Sequence, residues 1–477
     1  MRSLPALLLL LLSLPLAAPA EITERTLSYG APFGEISIYR PDGEPHSMVL
    51  FLSGDGGWNL GVISMARHLA EEGAIVAGLD VRHYLADIAS HPGTCRYMAA
   101  DFEDLSHRLQ RELKIDNYLV PLLYGYSSGA TVVYATLVQS PPGTFGGAVS
   151  LGFCPDQKFG GVPLCAGSGA GLHYAPGDKG AVVFAPSANL SDRWVAFQGE
   201  IDQVCGAAAV RDFVAQTSHA ELLSLPHVGH GFGVERNWLP QYLQVYNELV
   251  AQAKPVPIKS AEVSDLPLTE LPLSNAASDA PLVLMLTGDG GWAGLDRGLA
   301  DAFNARGLPV VGLSTLKYFW HERQPEEAAR DVARVLQHYL VAWHRERVLL
   351  VGYSFGADVL PFIVNRLPAQ LRERVQSVSM LGLEAQASFE IKVGGWIPGS
   401  ALSGQPVAPE INRMQGMKAL CLYGAGESDD PCPQMSGPAL TARAVGSGHH
   451  FSGDYAALAA AVLEFSGVPA TPVAPAR

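Results

Sequence analysis

Two hydrophobic patterns alternate along the chain. Short continuous runs of apolar residues are typical of strands that are buried on both faces of a parallel sheet. Between them lie segments whose apolar residues recur every three or four positions, as at 63–72 and 325–339, and this spacing predicts helices. The predicted strands are 48–53, 74–79, 119–124, 148–151, 282–286, 309–313, 347–351 and 375–381. The alternation predicts βαβ units, and therefore an α/β fold with a mostly parallel sheet and helices on both faces.

An internal duplication organises these elements. Phe-Leu-Ser-Gly-Asp-Gly-Gly-Trp at 51–58 returns as Met-Leu-Thr-Gly-Asp-Gly-Gly-Trp at 285–292. Tyr-Gly-Tyr-Ser-Ser-Gly-Ala at 124–130 returns as Val-Gly-Tyr-Ser-Phe-Gly-Ala at 351–357. The further matches are 148–153 with 378–383, 199–205 with 426–432, and 229–232 with 448–451. Five matches in one order predict two copies of the same domain.

Length and local composition give the domain boundaries. A chain of 477 residues suits two domains of about 200 residues each. The stretch rich in Pro, Ser and Ala between the copies predicts a linker at 256–280, with an N-terminal domain at 21–255 and a C-terminal domain at 281–468. The Pro-rich residues 469–477 predict a disordered tail.

The first twenty residues predict export. Arg2, an apolar run and the sequence Ala-Pro-Ala at 18–20 are the features of a signal peptide cleaved after Ala20. A short buried helix is the alternative, and the single arginine leaves open whether the segment is cleaved or kept as an anchor. Beyond it, no stretch reaches the roughly 18 apolar residues that a transmembrane helix needs.

Composition and cysteine usage agree with an exported globular protein. Hydrophobic residues make up 48% and charged residues 16%, and the net charge of −14 argues against nucleic acid as a partner and in favour of a cationic ligand. Six cysteines without a Cys-x-x-Cys pair favour disulfides over a metal site. The pairs expected first are Cys154 with Cys165, Cys421 with Cys432, and Cys95 with Cys205, although sequence does not fix the connectivity.

Each copy contains a Gly-x-Ser-x-Gly motif, with serine at 127 and at 354. Both motifs follow a predicted strand and precede a predicted helix, at 130–139 and 357–366. A nucleophile elbow requires this context, because the sharp turn strains the serine and only glycines leave room for it. A helix N-cap serine in a glycine-rich loop is the alternative. The motifs therefore predict a tandem duplication of an α/β-hydrolase domain, with Ser127 and Ser354 as nucleophiles.

A serine nucleophile needs a histidine base that a carboxylate orients, and in this fold the chain order is serine, acid, histidine. Both copies supply that order, and each aspartate follows an apolar run and a glycine. The predicted catalytic residues are Ser127, Asp202 and His230 in the first copy, and Ser354, Asp429 and His449 in the second. The neighbours left open are Glu200, Glu427 and Asp430 as acids, and His450 as the base. A metal site at the adjacent histidines is not expected, because adjacent side chains diverge and no third zinc ligand is suitably spaced.

An acyl-transfer intermediate carries an oxyanion that backbone N–H groups must stabilise. The predicted donors are the amides of Ser128 and Phe355, together with those of Gly54 and Gly288 in the glycine-rich loops. Acidic residues lie close to these positions, and either they cap a helix or they bind a substrate ammonium group. They are Asp55, Asp289 and Asp358. The aromatic segments 318–320 and 394–398 are candidates for an apolar lip that faces lipid, with packing under a loop as the alternative.

Four motifs in the second copy form a specific set. They are Thr-Gly-Asp-Gly-Gly-Trp at 287–292, Leu-Lys-Tyr-Phe-Trp at 316–320, Gly-Tyr-Ser-Phe-Gly-Ala-Asp at 352–358 and Gly-His-His-Phe at 448–451. Together they resemble the hallmarks of the bacterial VirJ/AcvB virulence-protein family over most of 281–468, with Lys317 where arginine is expected. The first copy resembles the N-terminal half of the longer, two-domain members.

The resemblance implies a cofactor-free periplasmic hydrolase that removes the amino acid from lysyl- or alanyl-phosphatidylglycerol at the surface of the inner membrane. It also implies a link to type IV secretion, where shorter relatives are discussed as factors that bind exported proteins. The second copy is the implied catalyst, although the intact triad of the first speaks against a purely structural role. The alternatives are a general secreted carboxylesterase or lipase, and a non-catalytic periplasmic factor that binds secretion substrates.

Overall fold

The computed structural model describes most of the chain. The described residues are 22–91, 95–167, 169–253, 262–273, 276–277, 279–391, 404–414, 416–427, 430–435, 437 and 440–469. The predicted signal peptide, the lip candidate at 394–398, Asp429 and the tail from 470 onward lie outside these residues. No helix among the described residues is long and apolar enough to cross a membrane.

A mixed sheet with helices on both faces forms the first domain. Its strands are β1 (Ile22–Gly30), β2 (Gly34–Pro41), β3 (Ser47–Leu52), β4 (Ala74–Leu79), β5 (Pro121–Tyr126), β6 (Ala148–Leu151), β7 (Asp156–Lys158), β8 (Tyr174–Pro176), β9 (Ala181–Phe184), β10 (Trp194–Gly199) and β11 (Ala220–Leu225). Its helices are α1 (Leu60–Glu71), α2 (Val81–Ser90), α3 (Met98–Glu112), α4 (Ser128–Gln139), α5 (Ala207–Ala215) and α6 (Leu239–Ala253). The main sheet has the order β1-β2-β4-β3-β5-β6-β10-β11, and β7 to β9 form a small separate sheet.

The second domain repeats this arrangement. Its strands are β12 (Leu268–Leu271), β13 (Leu282–Leu286), β14 (Val310–Leu313), β15 (Val348–Tyr353), β16 (Val375–Leu381), β17 (Gln386–Ala387), β18 (Gln405–Pro406), β19 (Ala419–Ala425) and β20 (Thr441–Ser447). Its helices are α7 (Gly294–Asn304), α8 (Thr315–Tyr318), α9 (Pro325–Ala342), α10 (Phe355–Arg366), α11 (Ala369–Arg372), α12 (Ala408–Arg413), α13 (Cys432–Met435) and α14 (Tyr455–Ser466). The main sheet has the order β12-β14-β13-β15-β16-β19-β20.

Both sheets have the strand order of the α/β-hydrolase fold, in which the pairs from β4 or β14 onward are parallel. The predicted fold class is therefore confirmed. The strands are continuously apolar because both faces of the sheet are buried, as predicted. Alternate residues of one strand enter the cores on opposite faces. In β3, Leu50 packs into one core and Phe51 into the other, and both are fully buried.

Strand β12 lies within the range that sequence assigned to the linker. It pairs antiparallel with β14, from Leu268 opposite Leu313 to Leu271 opposite Val310. The linker prediction is wrong for these residues, which form an edge strand of the second domain. The reason is that four residues at a sheet edge carry too little hydrophobic pattern to be recognised within a Pro- and Ser-rich stretch.

Two of the three expected disulfide pairs are wrong. Cys95 is bonded to Cys165 and Cys154 to Cys205, whereas Cys421 to Cys432 is as expected. Nearness in sequence suggested Cys154 with Cys165, but Cys154 follows β6 and Cys205 follows β10, which are neighbours in the parallel sheet. The carboxyl ends of these adjacent strands lie side by side and bring together cysteines that are 51 residues apart in sequence.

The two domains are joined through the aromatic segment 318–320. Trp320 is 1% exposed, and its Nε1 donates to the carbonyl oxygen of Ile115 at 2.8 Å. Its ring centroid lies 5.1 Å from that of Tyr118 and 4.1 Å from the guanidinium of Arg111. All three aromatic side chains of the segment are buried, so the prediction of a lip that faces lipid is wrong here. They pack inside the protein, as the alternative had it, but Trp320 packs against the other domain and not under a loop.

We expect Trp320→Ala to destabilise the protein by about 3–5 kcal/mol, because it removes a fully buried indole and an inter-domain hydrogen bond. Thermal unfolding of the full chain should show a lower Tm than wild type. The control is Val341→Ala, since Val341 lies on α9 with 75% of its surface exposed and its loss should leave the Tm within about 1 °C. Equal melting of both variants would show that the domains do not depend on this contact.

Candidate active sites

Both candidate nucleophiles stand on sharp strand-to-helix turns. Ser127 has φ 53° and Ser354 has φ 50°, a left-handed conformation that costs energy for a residue with a side chain. The flanking glycines explain how the turn fits. A Cβ on Gly125 would stand 2.2 Å from the carbonyl oxygen of Gly129, and one on Gly352 would stand 2.4 Å from that of Gly356. The chain therefore adopts the elbow geometry predicted from the motif.

The first site brings together the three residues predicted from chain order. Nε2 of His230 lies 2.9 Å from Oγ of Ser127, and its Nδ1 lies 2.9 Å from Oδ2 of Asp202. Tyr126 donates its hydroxyl proton to the carbonyl oxygen of His230 at 3.0 Å, which fixes the histidine loop over the elbow. Glu200, the rival acid, is exposed and accepts a hydrogen bond from Ser224.

The environment of Asp202 favours its ionised form. Burial alone would raise the pKa of this carboxyl, but the N–H groups of Cys205 and Val204 and the contact with His230 outweigh burial and lower the pKa. Gln198 donates a further hydrogen bond at 3.2 Å. The disulfide at Cys205 holds the turn that carries these donors. The carboxylate can therefore hold one tautomer of His230 and stabilise its protonated form.

The second site uses a different acid from the predicted one. Nε2 of His449 lies 2.9 Å from Oγ of Ser354, but its Nδ1 lies 2.7 Å from Oε1 of Glu427. Asp429 lies outside the described residues, and Glu427 is one of the alternative acids that the sequence left open. His450, the rival base, hydrogen-bonds the Tyr353 hydroxyl at 3.1 Å instead of the nucleophile.

A shift of two residues explains this change of acid. The repeat matched Gly199 to Gly426, yet in space the counterpart of Gly199 is Gly424. A Cβ on Gly199 would stand 2.1 Å from the carbonyl oxygen of Val228, shortly before His230. A Cβ on Gly424 would stand 2.1 Å from the carbonyl oxygen of Gly448, directly before His449. Three residues after each of these glycines come Asp202 and Glu427. The longer glutamate side chain then reaches the same nitrogen of the histidine.

The second acid is less well satisfied than the first. Among the described residues, Oε2 of Glu427 is buried and has no hydrogen-bond partner. The neighbouring Asp430 is buried and accepts the N–H of Cys432, and burial, together with the charge of Glu427, raises its pKa to about 6. The second site therefore contains a pair of acids near the histidine where the first has one well-hydrogen-bonded carboxylate.

The two residues predicted to donate to an oxyanion directly after the nucleophiles lie at helix N-termini. Ser128 and Phe355 begin α4 and α10, and the first N–H groups of a helix have no acceptor within that helix. Gly54 lies against the first nucleophile, since a Cβ on it would stand 2.9 Å from Cβ of Ser127.

Gly288 is a poorer donor than sequence suggested. Its N–H points to both carboxylate oxygens of Asp296, each at 3.3 Å, so the prediction that it stabilises an oxyanion is not supported. Asp296 is buried, and burial raises its pKa well above the usual range. Asp296 is not among the residues that the motifs predict. The repeat contained a signal, because the first copy has Val62 at the equivalent position.

The three acidic candidates for ammonium binding have different surroundings. Asp358 is 5% exposed, and its Oδ1 accepts the N–H of Glu384 at 2.7 Å, which favours a structural role over substrate contact. Asp55 is exposed and accepts a hydrogen bond from the hydroxyl of Ser128. Asp289 is half-buried, and burial raises its pKa, with nearby His449 acting in the opposite direction. Its carboxyl accepts backbone N–H groups of its own loop, at Asp289 and Gly290, and no side chain among the described residues pairs with it. Asp289 is therefore the candidate best placed to contact a ligand.

Two groups of acids, cysteines and histidine come close enough to resemble metal sites. They are Asp202 with Cys205 and His230, and Cys421 with Asp430 and Cys432. The cysteines of both groups are bonded in disulfides, which removes the thiolates that a metal would need. The remaining acid and histidine of the first group belong to the triad.

The strand order, the elbows and the serine, histidine and acid contacts define the protein as a tandem α/β-hydrolase. The model of the bacterial virulence protein (VirJ) family matches residues 46–145 and 280–467, which is more than half of the chain. The chain belongs to this family. A search of curated proteins finds no match.

Solved structures that match the chain include several esterases. Est1E from Butyrivibrio proteoclasticus is 11% identical, with 49% of this chain and 100% of that chain covered and a TM-score of 0.32. The esterase domain of a Rhodothermus marinus protein is 16% identical, with coverages of 49% and 100% and a TM-score of 0.33. Dienelactone hydrolase from Anabaena variabilis is 16% identical, with coverages of 49% and 98% and a TM-score of 0.35.

We expect Glu427→Gln to slow acylation of Ser354 on the order of 10³–10⁴-fold, because an amide neither fixes the histidine tautomer nor stabilises its protonated form. The rate of fluorophosphonate labelling checks this in the Ser127→Ala background, where only the second nucleophile can react. The matched control is Asp429→Asn, which should label at the parent rate. A slow Asp429→Asn with a normal Glu427→Gln would restore the acid predicted from sequence.

Proposed function

We propose that the protein is a serine hydrolase that works by acyl transfer at both triads. The observation that carries this proposal is the chain of contacts from serine through histidine to a carboxylate, which occurs once in each domain. Each serine stands on a strained elbow at a helix N-terminus, where developing negative charge is favoured.

The reaction follows from this geometry. Oγ of the serine attacks the ester carbonyl while Nε2 of the histidine takes its proton, and the acid stabilises the imidazolium. The N–H of Ser128 or Phe355 donates to the oxyanion. The histidine then protonates the leaving alcohol, and an acyl-enzyme remains. Water, deprotonated by the same histidine, then attacks the acyl-enzyme. The histidine returns that proton to Oγ of the serine as the carboxylic acid product leaves.

For the substrate we propose the aminoacyl ester of lysyl- or alanyl-phosphatidylglycerol. An aminoacyl group carries an ammonium close to its carbonyl, and a carboxylate beside the oxyanion loop is the complementary group. Asp289 has this position in the second site, and the resemblance of the second copy to the VirJ/AcvB family favours the same site. The net charge of −14 also suits a cationic acyl group better than an anionic one.

We further propose that the protein acts in the periplasm, in peripheral contact with the surface of the inner membrane. Three disulfides support an oxidising compartment, and the apolar N-terminal segment supports export. Proteins of a type IV secretion system are proposed partners on the basis of the family alone.

Lipid hydrolysis by nucleophile variants tests the proposal. We expect wild-type protein to release free amino acid from phosphatidylglycerol vesicles that contain lysyl- or alanyl-phosphatidylglycerol. Ser354→Ala should reduce this release at least about 100-fold, because the nucleophile is lost. Ser127→Ala should reduce it less, and the double variant should release none. Thin-layer chromatography of the extracted lipids measures the loss of substrate.

Two other results would redirect the assignment. Intact aminoacyl lipid together with rapid cleavage of 4-nitrophenyl esters would favour a general carboxylesterase. Neither hydrolysis nor fluorophosphonate labelling at either serine would favour a non-catalytic factor that binds secretion substrates.

A further inference from the structure

Helix α3 of the first domain lies across the second domain. Glu103, His107 and Arg111 are spaced four residues apart and therefore share one face of this helix. His107 and Arg111 both contact Trp320 of the second domain, with centroid distances of 6.3 and 4.1 Å. Arg111 also pairs with Glu390 at 3.4 Å. The two later residues of this face thus fix the position of the first, Glu103.

A second contact joins the first domain to α7, the helix that follows the glycine-rich loop 288–291 of the second site. The N–H of Gly294, the first residue of α7, donates to the carbonyl oxygen of Pro142 at 3.1 Å. The N–H of Gly143 donates to Asp192, which in turn lies 3.9 Å from Arg297 on α7. The loop after β13 is therefore held between its own sheet and the first domain.

Glu103 reaches this loop. A Cβ on Gly290 would lie 3.6 Å from Oε1 of Glu103, and Asp289 is the adjacent residue. Within the described chain, Glu103 makes neither a hydrogen bond nor an ion pair. Burial, with a smaller contribution from the charge of Asp289, raises the pKa of Glu103 to about 8. A cation between the two carboxylates would remove both the repulsion and the cost of burying an unpaired charge.

Among the described residues, three nearby arginines pair with other acids. Arg108 pairs with Asp104, Arg111 with Glu390, and Arg297 lies next to Asp192. These three arginines therefore supply no cation between Glu103 and Asp289.

The first site does not have this arrangement. Its Asp55 accepts a hydrogen bond from the hydroxyl of Ser128 and is exposed. In the second site Phe355 replaces that serine, so the partner that occupies Asp55 has no equivalent for Asp289. The sites therefore differ in the residue after the nucleophile, Ser128 or Phe355, and in the contact of α3 with the loop that carries Asp289.

We infer that Glu103 of the first domain is a specificity-determining residue of the second active site, where it binds the substrate ammonium together with Asp289. The second site is then composite, since one domain supplies the triad and the other supplies part of the acyl-group subsite. This inference rests on the proposed function and specifies which site takes the aminoacyl ester and why.

The test uses full-length protein in the Ser127→Ala background and two esters that differ only by the amino group. These are the 4-nitrophenyl esters of alanine and of propionic acid. Glu103→Gln should lower the ratio of kcat/KM for the alanyl ester to that for the propionyl ester about tenfold, because a charge-assisted contact with the ammonium is lost. Most of the change should appear in KM. The control is Asp104→Asn, the next residue of the same helix, which should leave the ratio unchanged.

An unchanged ratio in Glu103→Gln, with both esters hydrolysed, would overturn the inference and leave the proposed hydrolase standing. Such a result would mean that Glu103 and Asp289 only share a proton at the domain interface. Failure of the Ser127→Ala parent to hydrolyse either ester would instead reject hydrolysis at the second site, and the inference with it. Circular dichroism of each variant confirms that a loss of selectivity is not a loss of fold.

Discussion

In both sites the backbone of the nucleophile helix touches the backbone of the central strand, with no room for a side chain between them, and this contact determines where the nucleophile lies. A Cβ on Gly129 would stand 2.4 Å from the carbonyl oxygen of Ser53, and one on Gly356 would stand 2.2 Å from that of Leu286. These glycines let the nucleophile helix touch the central strand, β3 or β13. The serine therefore stands beside the glycine-rich loop that follows this strand. A larger residue would separate the nucleophile from that loop and disable the site.

The same backbone supports two different electrostatic environments. In the first site the carboxylate of Asp202 is held by N–H groups of a disulfide-bonded turn, and its pKa is lowered. In the second site burial raises the pKa of Asp296, Asp289 and Asp430. Burial therefore favours the protonated form of these carboxyls in the second site, whereas the first site holds its acid ionised.

The sequence predicted the features that depend on local backbone conformation. The buried strands, the elbows and the histidine after glycine each follow from a short pattern, and the structure has them in the predicted places. For the acid of the second site the sequence favours Asp429 over the alternative Glu427, because Gly199 and Gly426 match by letter, whereas the sheet aligns Gly199 with Gly424. The pairing of Cys154 with Cys205 and the burial of Trp320 depend on which strands or domains become neighbours. No pattern within either segment carries that information.

The duplication is asymmetric in space, and this asymmetry gives the first domain a role beyond its own triad. Helix α3 covers the glycine-rich loop 288–291 of the second site, whereas Asp55 in the equivalent loop of the first site is exposed. Trp320 anchors this arrangement, because its indole is buried by the first domain and hydrogen-bonded to Ile115. A substitution on α3 can therefore alter the second site without touching the first. Two copies with equivalent triads can diverge in substrate by this route while each retains its own catalytic geometry.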